Sequence, residues 1–543
     1  MGTPSGSVAG LLAGYVHAAG LRHVFGYPGE SVIEFMEAAR QGGVEVVSAV
    51  REGTAAFMAE AAAMATGLPG VCLSTLGPGS TAVLNGVASA TLDRVPLLAV
   101  SGQIEGSREQ FFTHQVVEHG RMFAPVTKLA LRLDARSADT VIRKALRTAA
   151  AERPGAVHVT VTADTWSAGA DGPVAVPPLA PAGETVDVHG GGDPLRELRA
   201  ARRPVIVAGT GAVRCSATAA LVGLAEAAGI PVAVSAMAKG VFPEDHRYFA
   251  GVVDMAGHRV LWDLLAGADL IVAAGFDPVE LISPWSVGAP VLHVDTTPNT
   301  DQVYASATEI TGNVAAALGW IAAGWHGEPR WTEAEVAGHR ARLRAAWLAG
   351  RADGRLNPSD VVAIARQAAP ADAIVATDVG SHKLMAGQVW QALRSRSVLM
   401  TNGLSAMGFG VPAAIAAKLS QPDRPVIALV GDGGFAMTAT EMQIAATLRL
   451  PIAVVVFADA SLNRIELRQQ ALGYPPTGTR IGGTDLPALA EAIGCDGARA
   501  ETPAALEEAL SDFARRSRLP PGSAARPLVV EARVDPSQYQ AQF

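Results

Sequence analysis

The chain has 543 residues, too many for one hydrophobic core, so about three domains are expected. Apolar residues make up 49% and charged residues 17%, the composition of an ordinary globular α/β protein rather than a disordered or fibrous one. A formal charge of −8, with no basic run and no basic stripe interleaved with aromatics, argues against a nucleic-acid partner, and no apolar stretch is long enough to cross a bilayer.

Val8, Leu11, Leu12, Tyr15 and Val16 recur at helical spacing and predict an amphipathic first helix. This stretch has neither the charged nor the apolar region of a secretory leader. Cys72, Cys215 and Cys495 lie far apart without a CxxC pattern, so a reducing cytoplasm is expected. From Leu21 to about residue 165, "RHVFGYPGE", "VEVVSAV", "GVCLSTLGPGS", "VPLLAVSGQ" and "GAVHVTV" alternate with helical runs. That rhythm predicts parallel βαβ units with helices on both faces. "SAGADGPVAVPPLAPAGETVDVHGGGDP" breaks it with proline and glycine and reads as a linker.

A second α/β block contains "RRPVIVAGTGAV", "ADLIVAAGF" and "APVLHVD". The charged stretch "HGEPRWTEAEVAGHRARLRAAWLAGRADG" reads as a helical connector, and a third block carries "DAIVATDVGSH", "PVIALVGDGGF" and "IAVVVFAD". The fold class expected is α/β, three doubly wound parallel-sheet domains over 1–170, 188–328 and 352–535, with the first and third a related pair.

In a parallel sheet, ligands bind at the carboxyl ends of the strands. "PVIALV" leads into Gly431-Asp432-Gly433, a helix is expected over "FAMTATEMQIAATL", and "PIAVVVF" leads into Asp459. One right-handed crossover therefore places both aspartates at the same sheet edge. Paired carboxylates there suit a hard, octahedral cation such as Mg²⁺, which also binds phosphate oxygens. Gly431, Gly433 and Gly434 clear side chains from the path of a diphosphate. The alternative for the triplet alone is a tight turn with Asp432 as helix cap.

These residues resemble the thiamine-diphosphate enzymes of the acetolactate synthase and pyruvate decarboxylase superfamily, whose signature is GDG, some two dozen residues, then NN. The resemblance implies Mg²⁺ held by Asp432, Asp459 and the backbone carbonyl of Ser461 on the diphosphate of thiamine diphosphate. Ala458-Asp459 departs from NN; aspartate is an equally good oxygen donor and adds one negative charge. "FGYPGE", "VREGTAAFMAEAAAMATGLPGVCLSTLGPGS", "VSGQ", "HQVVEH" and "PVTK" follow the order of the family's pyrimidine-binding domain. "AMAKGVFPEDH" resembles the central domain, and "NGLSAMGFGVPAAIAAKL" the diphosphate-binding domain.

Glu52 falls at the family's essential glutamate, which hydrogen-bonds the pyrimidine N1′ and promotes the tautomer that takes the proton from the thiazolium C2. Its alternative is a solvated glutamate at a helix start. Val50 and Arg51 stand where acetolactate synthases have Arg-His. Met407 matches the bulky residue beneath the cofactor; the alternative is core filler in an apolar helix. Val379, Gly380, Ser381 and His382 correspond to the loop on the diphosphate, with His382 either donating to a phosphate oxygen or exposed. Pro28, Ser405, Leu462, Asn463 and Ile465 complete the cofactor contacts implied.

For the reaction, Glu30 stands where decarboxylases of the family carry an acid; the alternative is a helix-capping role. Gln115 aligns with the glutamine of the carboligating members, His114 lies beside it, and Arg468 replaces a channel tryptophan, either holding an anionic acceptor or standing as a surface charge. The central domain reads "AAGFDPVELISPW", without the arginines of the family's FAD-binding element, so FAD is not expected. The expected activity is decarboxylation of a 2-oxo acid, pyruvate by default, with transfer of the acyl carbanion equivalent to an acceptor carbonyl. A simple decarboxylase releasing an aldehyde, and a non-catalytic cofactor-binding homologue, are the alternatives. The resemblance also implies a homodimer or homotetramer with active sites between subunits.

Overall fold

The computed structural model describes residues 6–170, 172–179, 185–517 and 525–542. The first five residues of the expected first domain, and residues 171 and 180–184 of the expected linker, lie outside them. Three sheets carry the fold. The first comprises β1 (His23–Gly26), β2 (Glu45–Ser48), β3 (Gly70–Ser74), β4 (Leu97–Gln103), β5 (Leu129–Arg132) and β6 (Ala156–Thr162), in the order β2-β1-β3-β4-β6-β5. All its pairings are parallel.

The second sheet runs β10 (Phe249–Val252), β9 (Val232–Val234), β8 (Pro204–Ala208), β11 (Leu270–Ala274), β12 (Val291–Asp295), β13 (Thr308–Gly312) and β7 (Val186–Gly190). Only β7 pairs antiparallel, against β13. The third has the order β15 (Val398–Leu399), β14 (Ile374–Thr377), β16 (Val426–Gly431), β17 (Ile452–Ala458), β19 (Leu528–Arg533) and β18 (Asp496–Ala500). Strand for strand, this is the order of the first sheet, so the two domains expected to be related share one topology. The doubly wound α/β architecture follows the sequence reading.

The local causes are ordinary. Every residue of β8 and the first six of β17 are buried, as continuous apolar runs must be in a parallel sheet covered on both faces. The first helix, Val8–Ala18, starts at Ser7, whose hydroxyl accepts from the Gly10 N–H at 3.1 Å, and it buries the five residues of the apolar stripe. The connector contains the helix Glu333–Trp347, opened by a Thr332–Glu335 capping box. Packing divides the described residues into two compact units. One holds the first sheet together with Gly403–Asp423 and Thr438–Leu448; the other holds the second and third sheets with the remaining segments.

The first unit buries two histidines under its sheet. His158 Nε2 meets Ser101 Oγ at 2.9 Å, and the Phe123 ring stacks on it with centroids 3.6 Å apart. His119 Nδ1 meets Thr160 Oγ1 at 3.3 Å. Burial lowers both, His119 from 6.5 to about 4 and His158 well below 6.5. A histidine depressed in the folded state contributes stability that is complete above its unfolded pKa and is lost as pH falls through the folded one. The melting temperature should therefore drop between pH 6.5 and about 4, with His119 alone costing roughly 3 kcal/mol once charged. Scanning calorimetry across that window should show a shallower acid limb for His119→Gln.

Candidate active site

The carboxyl edge of the third sheet brings Asp432 and Asp459 together. β16 ends at Gly431 and Asp432 opens the helix Asp432–Thr438, while the neighbouring β17 ends at Ala458. One oxygen of Asp432 accepts the Asp459 N–H at 3.2 Å and the Ala460 N–H at 2.8 Å; the other accepts from Gly433 N–H at 2.8 Å. Burial raises both carboxyls, and the Asp432 charge adds to the effect on Asp459, which is pushed up to about 7. Ala460 takes the left-handed conformation (φ 55°) to make this turn.

Ser461 N–H donates to Asp459 at 3.1 Å, and its hydroxyl donates to Glu466 at 2.5 Å. Glu466 also accepts from Arg480 at 2.5 Å, so it clips the 461–480 segment shut. Leu462 and Asn463 are half-buried at the start of the helix Asn463–Ala471, and Asn463 Oδ1 accepts from the Ser381 hydroxyl at 2.9 Å. Ile465 and Arg468 lie exposed on the same helix.

His382 is buried, which removes the exposed-loop alternative: it is the second residue of the helix Ser381–Val389, its ring stacked on Phe457 at 5.4 Å. Burial, with the Lys383 charge adding, drives it down to about 3, so the ring is neutral. Its Nε2 has no hydrogen-bond partner. Glycine is required around it: a Cβ on Gly380 or Gly431 would stand 2.9 or 3.0 Å from the ring, and Gly380 has φ +153°. Gly434 passes the Asp378 carboxylate at a distance no side chain fits (2.3 Å to a Cβ). Asp378 in turn accepts from Val379 N–H at 2.7 Å, fixing the loop.

In the other unit, Glu52 is the first residue of the helix Glu52–Thr66 and is half-buried. Its carboxylate lies over Gly79, where a Cβ would be 3.2 Å from Oε1. Arg51 caps the helix with extended backbone and no side-chain hydrogen bond. Gln115 is exposed with φ 58°, and its carbonyl accepts from Gly77 N–H at 2.9 Å; His114 is exposed beside it. Pro28 and Glu30 are exposed, Glu30 opening the short 3-10 turn Glu30–Val32 behind Gly29 rather than capping it. Met407 is half-buried in the turn before the helix Gly410–Ser420, not inside an apolar helix, and Ser405 precedes it at φ 53°. Among the described residues no three His, Cys, Asp or Glu side chains gather as a metal centre, so a cation at the third sheet would rest on two carboxylates and backbone oxygen.

Three family descriptions match the chain in order. The N-terminal thiamine pyrophosphate-binding domain of thiamine pyrophosphate enzymes covers residues 7–122, the central domain 194–321 and the C-terminal thiamine pyrophosphate-binding domain 378–531. A "Probable 2-ketoarginine decarboxylase" of Pseudomonas aeruginosa is 32% identical over 89% of this chain and 87% of its own. The chain belongs to the thiamine pyrophosphate enzymes. A catabolic acetolactate synthase of Raoultella terrigena is 29% identical over 92% of each chain, and an acetolactate synthase of Mycobacterium bovis 30% identical over 92% of this chain and 84% of its own. This member of the thiamine pyrophosphate enzymes is thus an enzyme of carboligase or decarboxylase type. No helix among its described residues is long and apolar enough to cross a membrane.

Sequence reading missed Glu466, Arg480 and Asp378, whose hydrogen bonds hold the loops. Glu466 had a signal: an acid three residues into a helix, where the macrodipole favours it, aimed back at a serine five residues upstream. Replacing Glu466 with alanine strips partners from Ser461 and Arg480. It should cost about 1–3 kcal/mol in urea unfolding, and new proteolytic cuts should appear within 460–481.

Proposed function

We propose that this enzyme uses thiamine diphosphate and Mg²⁺ to decarboxylate a 2-oxo acid, pyruvate by default, and transfers the remaining acyl unit to an acceptor carbonyl. The observation that carries the reading is the Asp432–Asp459 pair, two carboxylates forced together in a half-buried crevice. Such a donor set fits a hard divalent cation, whose positive charge offsets both the burial and the mutual repulsion. Asp432, Asp459 and the Ser461 carbonyl would hold Mg²⁺. The glycines at 431, 433 and 434, the N–H groups that open the helix at Asp432, and the unpartnered Nε2 of His382 fit a diphosphate beside it. An ionised phosphate oxygen only accepts, so His382 would meet it by donating from Nε2.

Thiamine diphosphate, when bound, supplies the carbon nucleophile that attacks the 2-oxo carbonyl and takes up the electron pair released with CO₂. The chain's own residues do the rest. Glu52 would share a proton with the pyrimidine N1′, and Met407 would support the bent cofactor from below. Val379, Gly380, Ser381, Ser405, Leu462, Asn463, Ile465 and Pro28 would bound it. Gln115, with His114, would orient the acceptor carbonyl, and Arg468 would pair with an acceptor carboxylate. The named acetolactate synthases, similar over nearly the whole chain, support acyl transfer. The decarboxylase reading keeps its own support: the 2-ketoarginine decarboxylase relative, and Glu30 as a candidate proton donor to the product carbon. A homodimer or homotetramer with sites completed by a second copy, a cytoplasmic location consistent with three buried cysteines, and domains over 1–170, 188–328 and 352–535 belong to the same proposal.

FAD, which helps define the biosynthetic synthases, does not fit the central domain. At the carboxyl edge of the second sheet, where a dinucleotide diphosphate would meet backbone N–H groups, Glu280 already occupies them. It is 1% exposed and accepts from Thr210 N–H at 2.9 Å, from Asp277 N–H at 2.8 Å and from the Ser235 hydroxyl. Asp295 lies beneath Gly211 in the same crevice, 2.7 Å from a Cβ there.

Purified protein given thiamine diphosphate, Mg²⁺ and pyruvate should release CO₂ and form an acetohydroxy acid or acyloin, read by NMR. Acetaldehyde alone would move the assignment to decarboxylase. Glu52→Gln should lower kcat by about 10²-fold or more, and Asp432→Ala should abolish Mg²⁺-dependent cofactor retention. The same preparation should carry no flavin absorbance and take up no FAD in calorimetry; stoichiometric flavin would refute the account of Glu280.

A further inference from the structure

Glu441 is buried, 1% exposed, on the short 3-10 turn Ala439–Glu441, in the same compact unit as Glu52. Its carboxyl group reaches across 391 residues of sequence to the start of the Glu52–Thr66 helix. Oε2 accepts the Val50 N–H at 3.0 Å, the Arg51 N–H also donates to the carboxyl group, and Oε1 lies 2.5 Å from the Thr54 hydroxyl. The residues it holds, 50, 51 and 54, bracket Glu52 on both sides. Arg51, the cap residue, offers no side chain of its own to the helix start, so Glu441 is the cap, supplied from elsewhere in the chain.

The hydrogens can be counted. Thr54 Oγ1 has one proton and two acceptors in reach, Glu441 Oε1 at 2.5 Å and the Arg51 carbonyl at 2.6 Å. The one proton can be shared between the two acceptors; with Glu441 protonated, Glu441 would instead donate to Thr54 and Thr54 onward to Arg51. Burial raises the Glu441 carboxyl in that sense, against the donors from Thr54, Val50 and Arg51 and the Arg51 charge.

We propose that Glu441 is the positioning residue for Glu52: it fixes the backbone on both sides of that glutamate and so sets where its carboxylate meets the cofactor pyrimidine. Glu441 touches neither substrate nor cofactor in this account. The proposal rests on the reading of Glu52 given above. A carboxylate that must meet one ring nitrogen tolerates little displacement, so loosening the first helical turn should tell on proton transfer before it tells on binding.

The test is the rate at which the C2 hydrogen of bound thiamine diphosphate exchanges with D₂O, followed by quenched NMR without any turnover. Glu441→Leu removes every hydrogen-bond acceptor while keeping the bulk. It should slow exchange by roughly tenfold or more, with the dissociation constant for thiamine diphosphate within about threefold of the parent enzyme. Glu441→Gln keeps an acceptor for Val50 and Arg51 and an N–H donor for Thr54, so it should restore exchange. Unchanged exchange in Glu441→Leu overturns the proposal, as does slowing matched by an equal loss of cofactor affinity, or a Gln variant as slow as the Leu one. Should Glu441→Leu fail to fold, Thr54→Val removes one of the same contacts, and normal exchange there counts against the proposal equally. Glu52→Gln separates the two readings. If its own exchange is not slowed, the role given to Glu52 falls; if it is slowed and Glu441→Leu is not, only the role given to Glu441 falls.

Discussion

Two carboxylates side by side in a half-buried crevice repel one another and are poorly solvated, and the third sheet builds that arrangement deliberately. Parallel strands β16 and β17 must end at the same edge, so whatever follows each strand is brought together without any special contact. The backbone then makes the pairing rigid: the N–H groups of Asp459 and Ala460 both point at the Asp432 carboxylate. Those donors favour the charged form of Asp432, while Asp459, which accepts from Ser461 N–H, is raised by burial and further by the Asp432 charge. The strained φ at Ala460 and the Glu466 clip follow from the same demand, since the loop must turn sharply and stay turned.

The same strand order serves twice, with opposite chemistry at the carboxyl edge. In the third sheet the edge carries acids, glycines and a buried neutral histidine, a surface for a cation and its phosphate ligands. In the first sheet it carries Gly77, Gly79 and the Glu52 carboxylate above them, with Gln115 held by its own carbonyl. At the carboxyl edge of the second sheet the protein supplies an acid of its own. Glu280, fully buried with its carboxyl pushed up to about 8, takes the backbone donors that a phosphate would otherwise use. A carboxyl group is a fair substitute for a phosphate at such a place, because both accept from clustered N–H groups.

Much of this was legible in the sequence because it depends on local pattern. Continuous apolar runs marked β8, β16 and β17, and the residues that end those runs marked the acids at the third edge. What escaped was structure whose cause lies far away in the chain. β18, "DGARA", has no apolar pattern of its own and is specified by pairing with β19. β7 is mostly exposed and pairs antiparallel at the sheet's rim, so neither alternation nor a buried run betrays it. The stretch 435–448 reads as one helix, yet it breaks at Thr438 (φ −137°) and re-forms at Met442, with Glu441 turned toward residues 50–54. The resemblance left His382 either on the diphosphate or exposed in its loop; its burial comes from Gly431 and Phe457 on neighbouring strands. Glu280 and Glu441 share this character: each is a buried acid that caps a helix it does not belong to.

The residues that would choose between the two outcomes of the reaction differ from those that would hold the cofactor. Asp432, Asp459, His382 and Glu52 are buried or half-buried in the single chain, whereas Glu30, His114, Gln115 and Arg468 are exposed. An acyl unit bearing an electron pair reacts with whichever electrophile arrives first, a proton or a carbonyl. Water access therefore weighs as heavily as any one side chain. On the proposed reading, a second copy of the chain covers these exposed residues and excludes water. The assembly would then decide whether Glu30 can deliver a proton or Gln115 can present a carbonyl. The cofactor-holding half is written into single strands and their ends, while the selectivity half is written into loops whose surroundings the single chain leaves open.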